Sequence, residues 1–254
     1  MRTLAVGDIH GGYKALLQVL ERAAVTPKDM LIFLGDYVDG WSESAQTIQS
    51  FIDLQQEQEC IFLKGNHDLK LENWLQHGAI YPLEDTDKSN SPFWLAQGGE
   101  STIFSYIKTG HHKNKEHLRF LQSLKYYYID SQNRLFLHAG FTSVLGIGNE
   151  NRVNYCYDRT LWEDAIAIHE IRAKGGGDEL FYDPLRYKFY KEIFIGHTPT
   201  LHENENIPMN RLNVWNLDTG AAFTGKLSIM DVDTKEFWQS DPLTELYPKE
   251  QGRN

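Results

Sequence analysis

The chain has 254 residues, 41% hydrophobic and 24% charged, which is long enough for one substantial core and excludes an extensively disordered or fibrous protein. Its 35 acidic and 25 basic side chains give a formal net charge of −10, so the average surface repels nucleic-acid backbone and anionic lipid, and neither is expected as a partner. Two cysteines, Cys60 and Cys156, do not make a disulfide scaffold, no run approaches the roughly 20 apolar residues that span a bilayer, and a cytoplasmic location is the expectation.

The first half repeats one pattern, a short apolar strand that ends in Gly-Asp or Gly-Asn and turns into a helix. Leu4 to Val6 leads into GDIHGG, and Leu16, Leu17, Leu20, Ala23 and Ala24 follow at helical spacing. Met30 to Leu34 leads into GDYVDG, followed by an amphipathic stretch with Phe51 and Ile52 on its apolar stripe, and Cys60 to Leu63 leads into GNHD and a third helix through Leu71, Trp74 and Leu75. Three such units predict a βαβαβ arrangement with a largely parallel sheet covered by helices.

From Ser91 to about Leu124 the pattern is helical, interrupted by Gly98, Gly99 and Gly110. A strand pair is predicted at Tyr126 to Asp130 and Leu135 to His138, then a polar region and a helix in DRTLWEDAIAIHEIRAK stopped by Gly175, Gly176 and Gly177. Ile193 to Ile195 is a further strand ending in GHT; Leu212 to Leu217 and Lys226 to Asp231 alternate as antiparallel strands do, with Glu236 to Gln239 pairing with the latter, and these late strands suggest a second sheet on the first. The expected organisation is one α/β domain over 1–245, with helical inserts at about 91–125 and 146–190 overhanging a cleft, and a flexible tail at 246–254.

Asp8, His10, Asp36, Asn66, His138 and His197 each follow a short apolar strand. Strand ends of a parallel sheet converge on one edge, so these side chains can meet despite their separation in sequence. Carboxylate, amide and imidazole donors without thiolate suit Mn, Mg, Fe or Zn. Asp8 and His10 can aim at one ion, Asp36 has two oxygens to bridge ions roughly 3.5 to 4 Å apart, and Asn66, His138 and His197 can serve the second.

The ordered series GDIHG, GDYVDG, GNHD, HAG and GHT, over residues 7 to 198, resembles the calcineurin-type metallophosphoesterase superfamily, in the form of its phosphoprotein phosphatase branch, which includes bacterial Ser/Thr phosphatases and symmetrical diadenosine tetraphosphatases. The LDTG at 217 to 220 resembles the segment after that family's last metal ligand. The resemblance implies a four-layer αββα sandwich of two mixed sheets flanked by helices, with a dinuclear metal site, Mn2+ by preference, at the strand ends. It implies that Asp8, His10 and Asp36 hold one metal, that Asp36, Asn66, His138 and His197 hold the other, and that His67, oriented by Asp39, acts near the leaving group as a metal-bridging hydroxide attacks phosphorus in line.

The branch reads GDxVDRG, with an arginine that clamps substrate phosphate, whereas Gly40 stands in that place here. Arg159, in YDRTLW, is the leading replacement and Asn66 a second phosphate contact; Arg152 and Arg186 are weaker. His111, His112 and His117, among lysines, read as a solvated segment. The resulting expectation is a phosphomonoesterase acting on phosphoserine or phosphothreonine in proteins. The alternative is a hydrolase of diadenosine tetraphosphate or another small phosphorylated metabolite, with Trp41, Trp94 or Tyr157 stacking on a base; a noncatalytic metal-binding scaffold and a nuclease are weaker readings. The oligomeric state stays open.

Overall fold

The computed structural model describes residues 1–78, 91–175 and 184–253. In chain order the elements are β1 Thr3–Val6, α1 Tyr13–Arg22, β2 Met30–Phe33, α2 Ser44–Leu54, β3 Cys60–Phe62, α3 Asn66–His77, α4 Ser91–Trp94, α5 Glu100–Thr109, α6 Lys115–Ser123, β4 Tyr127–Ile129, β5 Arg134–Leu137 and α7 Thr160–Ala173. They continue with α8 Leu185–Lys188, β6 Glu192–Ile195, β7 Met209–Arg211, β8 Val214–Asn216, β9 Ser228–Asp231, β10 Phe237–Gln239 and α9 Leu243–Leu246.

Two five-stranded sheets form, in the orders β10-β9-β1-β2-β3 and β4-β5-β6-β8-β7. β1, β2 and β3 are parallel, as the repeated strand-turn-helix pattern predicts, and so are β5, β6 and β8. Alternate residues of a strand face opposite ways, so each strand feeds two cores. Leu4 and Val6 of β1 join Val19, Ile48 and Phe51 beneath the outer helices, while Ala5 joins Phe136, Phe194 and Met230 between the sheets. Leu135 and Leu137 of β5, with Ile193 and Ile195 of β6, pack under Leu161, Trp162 and Ala165 of α7. The result is the expected αββα sandwich. Among the described residues no helix is long and apolar enough to cross a membrane.

Several expectations are corrected. β10 pairs with β9 as expected, but both lie in the first sheet, β9 antiparallel to β1, and not in a second sheet with the other late strands; β8 pairs with β6 and with β7, a strand that its short, polar sequence did not signal. The 91–125 insert joins the outer helical layer, with Tyr106, Phe120 and Leu121 in the first-sheet core. His117 is not solvated: it is fully buried, its ring bonded to the Tyr106 hydroxyl (3.0 Å) and Gln49 Oε1 (3.1 Å). Gly176 and Gly177, read as helix stops, and the 176–183 part of the second insert lie outside the described residues.

The stretch after α9, expected to be a loose tail, is docked. Tyr247 is buried and stacked on Trp41 at 5.2 Å, and Glu250 accepts hydrogen bonds from Ser42 N (2.9 Å) and Oγ (2.7 Å). Trp41, named above as a base-stacking candidate, is fully buried in the core with its Nε1 bonded to Ala221 O (2.7 Å).

Candidate active site

The turns after β1, β2, β3, β5 and β6 bring Asp8, His10, Asp36, Asn66, His67, His138 and His197 to one edge of the sandwich, the first five from one sheet and the last two from the other. The turns are tight: His10, Asp36, Asp39 and His197 all take left-handed backbone conformations (φ 53°, 54°, 72° and 68°). Such conformations cost about 1–3 kcal/mol each in a non-glycine residue and persist where the surroundings over-determine them. Glycines make room for the carboxylates. A Cβ on Gly65 would lie 2.1 Å from Asp36 Oδ1, and one on Gly196 would lie 2.0 Å from Asp8 Oδ1.

Donor atoms of His10, Asp36 and His67 lie within 4.8 Å of one another, and so do those of Asp36, His138 and His197, with Asp36 common to both groups. His10 Nδ1 donates to Asp39 O (2.8 Å) and Val38 O (3.1 Å), which leaves Nε2 facing Asp36 Oδ2 at 3.7 Å and Asp8 Oδ2 at 3.9 Å. His138 Nδ1 donates to Leu34 O (2.9 Å), so its Nε2 meets Asp36 Oδ2 and Asn66 Oδ1, each at 3.3 Å. An imidazole nitrogen, a carboxylate and an amide oxygen converging in a buried space call for positive charge among them, which the protonated His138 ring supplies where no metal is bound.

The electrostatics make the same demand. Burial, aided by neighbouring Asp218 and Asp36, pushes the Asp8 carboxyl well above the usual carboxylate range, and Asp8 Oδ1 is buried with no hydrogen-bond partner. Burial opposes charge on Asp36 and His138 as well, yet each sustains the other: Asp36 is held well below its ordinary value, and His138 is raised to about 10. His10 is lowered to about 3, and His67 and His197 are also lowered, chiefly by burial, leaving neutral imidazoles able to ligate. Divalent ions therefore fit the donors present here, in type and in charge, as two clusters sharing one carboxylate.

His67 Nδ1 meets Asp39 Oδ2 at 2.6 Å. Asp39 is fully buried, its carboxylate accepting from Thr102 Oγ1 (2.7 Å) and from Trp94 Nε1. Trp94 and Thr102 lie in the 91–125 insert, and nothing local in the sequence marks them. Asp68 also holds the frame, its carboxylate accepting from the backbone N–H of Gly65 (2.8 Å), Asp36 (2.9 Å) and Tyr37 (2.9 Å). Its position directly after GNH was the available signal. Arg159 is exposed, with one guanidinium nitrogen 3.1 Å from Thr198 Oγ1, beside His197. Arg186 is buried and bound to Phe141 O, Thr160 and Asp164, and Arg152 is exposed beside Lys64 and Tyr126, so neither is drawn to the donor clusters.

A sequence profile of the calcineurin-like phosphoesterases matches residues 1–221. The chain belongs to this family. Proteins with similar sequences include a symmetrical bis(5'-nucleosyl)-tetraphosphatase of Pseudomonas entomophila, 23% identical over 100% of this chain and 99% of the relative. Another is serine/threonine-protein phosphatase 1 of Salmonella typhimurium, 24% identical over 88% of each chain. A serine/threonine phosphatase structure from Saccharomyces cerevisiae shares the fold, with a TM-score of 0.59 at 12% identity over 95% of this chain and 80% of that one. For a calcineurin-like phosphoesterase the two-cluster arrangement around Asp36 supports metal-dependent hydrolysis of a phosphate ester.

Proposed function

We propose that the chain is a metal-dependent phosphomonoesterase acting on phosphoserine and phosphothreonine residues of proteins. The observation that carries this reading is the pairing of two donor clusters through Asp36 with a buried His67–Asp39 couple at the same strand ends. Asp8, His10 and Asp36 would hold one divalent ion, and Asp36, Asn66, His138 and His197 the other. Ions bound there supply Lewis-acid charge for the phosphoryl group, Mn2+ being the first to try.

The remaining chemistry belongs to the chain. With Nδ1 donating to Asp39, His67 directs Nε2 into the site, where the ring can act as the acid after first taking up a proton at Nε2: as an imidazolium beside the Asp39 carboxylate it passes that proton to the departing serine or threonine oxygen and returns to the neutral form. Asp39 fixes that tautomer and raises the basicity of the ring, while Trp94 and Thr102 keep the carboxylate from turning away. Arg159 and the Asn66 amide can donate to phosphoryl oxygens.

The dinucleotide alternative draws support from the tetraphosphatase relative, which matches this chain along its whole length. It loses two of its three base-stacking candidates, because Trp41 and Trp94 are fully buried and committed to Ala221 O and Asp39. Mn2+-loaded protein should be assayed in parallel on a phosphothreonine peptide and on diadenosine tetraphosphate, with Asp36→Asn as the blank. Faster release from the peptide, lost in the variant, is the expected result. Variant-sensitive conversion of the dinucleotide to ADP with an inert peptide would replace this reading by the alternative.

A further inference from the structure

The arginine that the phosphatase pattern sets after its second aspartate is absent, and the structure puts another cation beside the vacancy. Around a Cβ built on Gly40 the nearest atoms are His10 O (3.1 Å), Arg253 Cγ (3.5 Å) and His10 Cβ (3.5 Å). The Arg253 stem thus lies beside Gly40, 213 positions away in sequence.

Its place is built rather than incidental. The Tyr247 ring stacks on Trp41, its hydroxyl accepts from Lys14 N (3.0 Å) and donates to Glu43, and Glu250 grips Ser42. Gly252, with φ +67°, sits so close to the core that a Cβ would lie 2.6 Å from Ala222 O and 2.8 Å from the Trp41 ring, and Arg253 N donates to Ala222 O (2.8 Å). Only glycine suits that left-handed, crowded turn, which sends the next side chain towards the site. The guanidinium then rests 5.5 Å from the centre of the Phe223 ring, a cation–π contact that steadies it.

Among the described residues Arg253 Nε is buried without a hydrogen-bond partner, and no carboxylate of theirs lies within ion-pair distance of the guanidinium. Its field reaches the site, lowering the pKa of His10 and His67 and opposing the rise at Asp218. A buried polar atom normally has a partner, and a guanidinium offers a planar fork that matches phosphate oxygens.

We propose that Arg253 binds the phosphoryl oxygens of the substrate, so that the 247–253 segment, folded back over Trp41, supplies the anion clamp that Gly40 lacks. This role rests on the phosphomonoesterase reading; Arg253 flanks the His10–His67 side of the site, and Arg159 flanks His197.

The test compares metal-loaded parent, Arg253→Gln, Arg253→Lys and Glu250→Gln. KM and kcat are measured on a phosphate monoester, inorganic phosphate affinity by calorimetry, and metal content and melting temperature serve as controls. Arg253→Gln should raise KM and weaken inorganic phosphate by about tenfold or more with metal content unchanged, since charge-assisted hydrogen bonds are lost. Lysine should recover part of the loss by supplying charge without the fork, and Glu250→Gln should shift both quantities in the same direction by a smaller factor. Parental KM and phosphate affinity in Arg253→Gln would overturn the clamp. If the parent hydrolyses no phosphate ester, the functional reading fails separately and phosphate affinity decides: dependence on Arg253 upholds the clamp, and independence of it, or no phosphate binding by the parent, removes it.

Discussion

Gly65→Ala adds a single methyl group at a position whose backbone (φ −91°, ψ 171°) suits any residue, so whatever it does comes from contact rather than strain. The new carbon would lie 2.1 Å from Asp36 Oδ1 and 2.4 Å from Asp36 N. A carbon and an oxygen rest no closer than about 3.3 Å, so the carboxylate must retreat by about 1 Å. The turn cannot absorb this freely, because Asp68 ties the N–H groups of Gly65, Asp36 and Tyr37 to one carboxylate. Overpacking of this kind costs about 1–3 kcal/mol, partly offset by about 0.4–1 kcal/mol gained through a stiffer unfolded chain. Asp36 is the carboxylate shared by both donor clusters, and a displacement of about 1 Å in a positioned group lowers turnover by about 100-fold. Metal content by mass spectrometry and kcat/KM on a phosphate monoester should therefore both fall while the protein stays folded. A variant with parental metal stoichiometry and parental kcat/KM would refute the claim that Gly65 exists to admit the Asp36 carboxylate.

Two further outcomes are expected. Asp39→Asn keeps the shape and most of the hydrogen bonds around His67 but removes the charge, so kcat should drop by about 10- to 100-fold with melting temperature nearly constant; an unchanged kcat would show that Asp39 does not tune His67. Chelated protein retains Asp39 and Asp218, both pushed up to about 6 by burial, against about 3.9 in an unfolded chain. Raised carboxyls stabilise the fold below the unfolded value and lose that contribution as pH rises through the folded one, while the lowered His10, His67, His117 and His197 act in the opposite sense, so the effect is read as a difference: the melting temperature of the chelated parent relative to chelated Asp218→Asn should fall between pH 4 and pH 6.5, roughly, and Mn2+ should stabilise the parent at neutral pH. A difference flat across that interval would count against a crowded, uncompensated Asp218 carboxyl.

The gathering of the candidate residues was legible because they sit in contiguous strand-end turns: GDIHG, GDYVDG, GNHD, HAG and GHT each carry theirs within one turn, and parallel pairing gathers the turns. The four layers were legible in part, since the alternation of Leu135, Phe136 and Leu137 registers two different cores only when a second sheet exists to receive Phe136. The allegiance of β9 was not legible, because its pairing with β1 depends on residues more than two hundred positions apart in sequence, roughly, and alternation alone names no partner. Trp94, Thr102 and Arg253 escaped for the same reason: each meets its neighbours through tertiary contacts, and an isolated Trp, Thr or Arg has no local signature. His117 was misread because its lysine-rich surroundings were averaged, while its own side of α6 faces Tyr106 and Gln49.

The donors come from both halves of the sandwich, Asp8, Asp36 and Asn66 from one sheet and His138 and His197 from the other. An ion held between them would act as a rivet joining the two sheets at the edge of the layer that holds Ala5, Phe136 and Phe194. Amide protons on β1 and β6 should then exchange with solvent as a single unit when the rivet is in place, and as two units, each opening on its own schedule, once it is withdrawn.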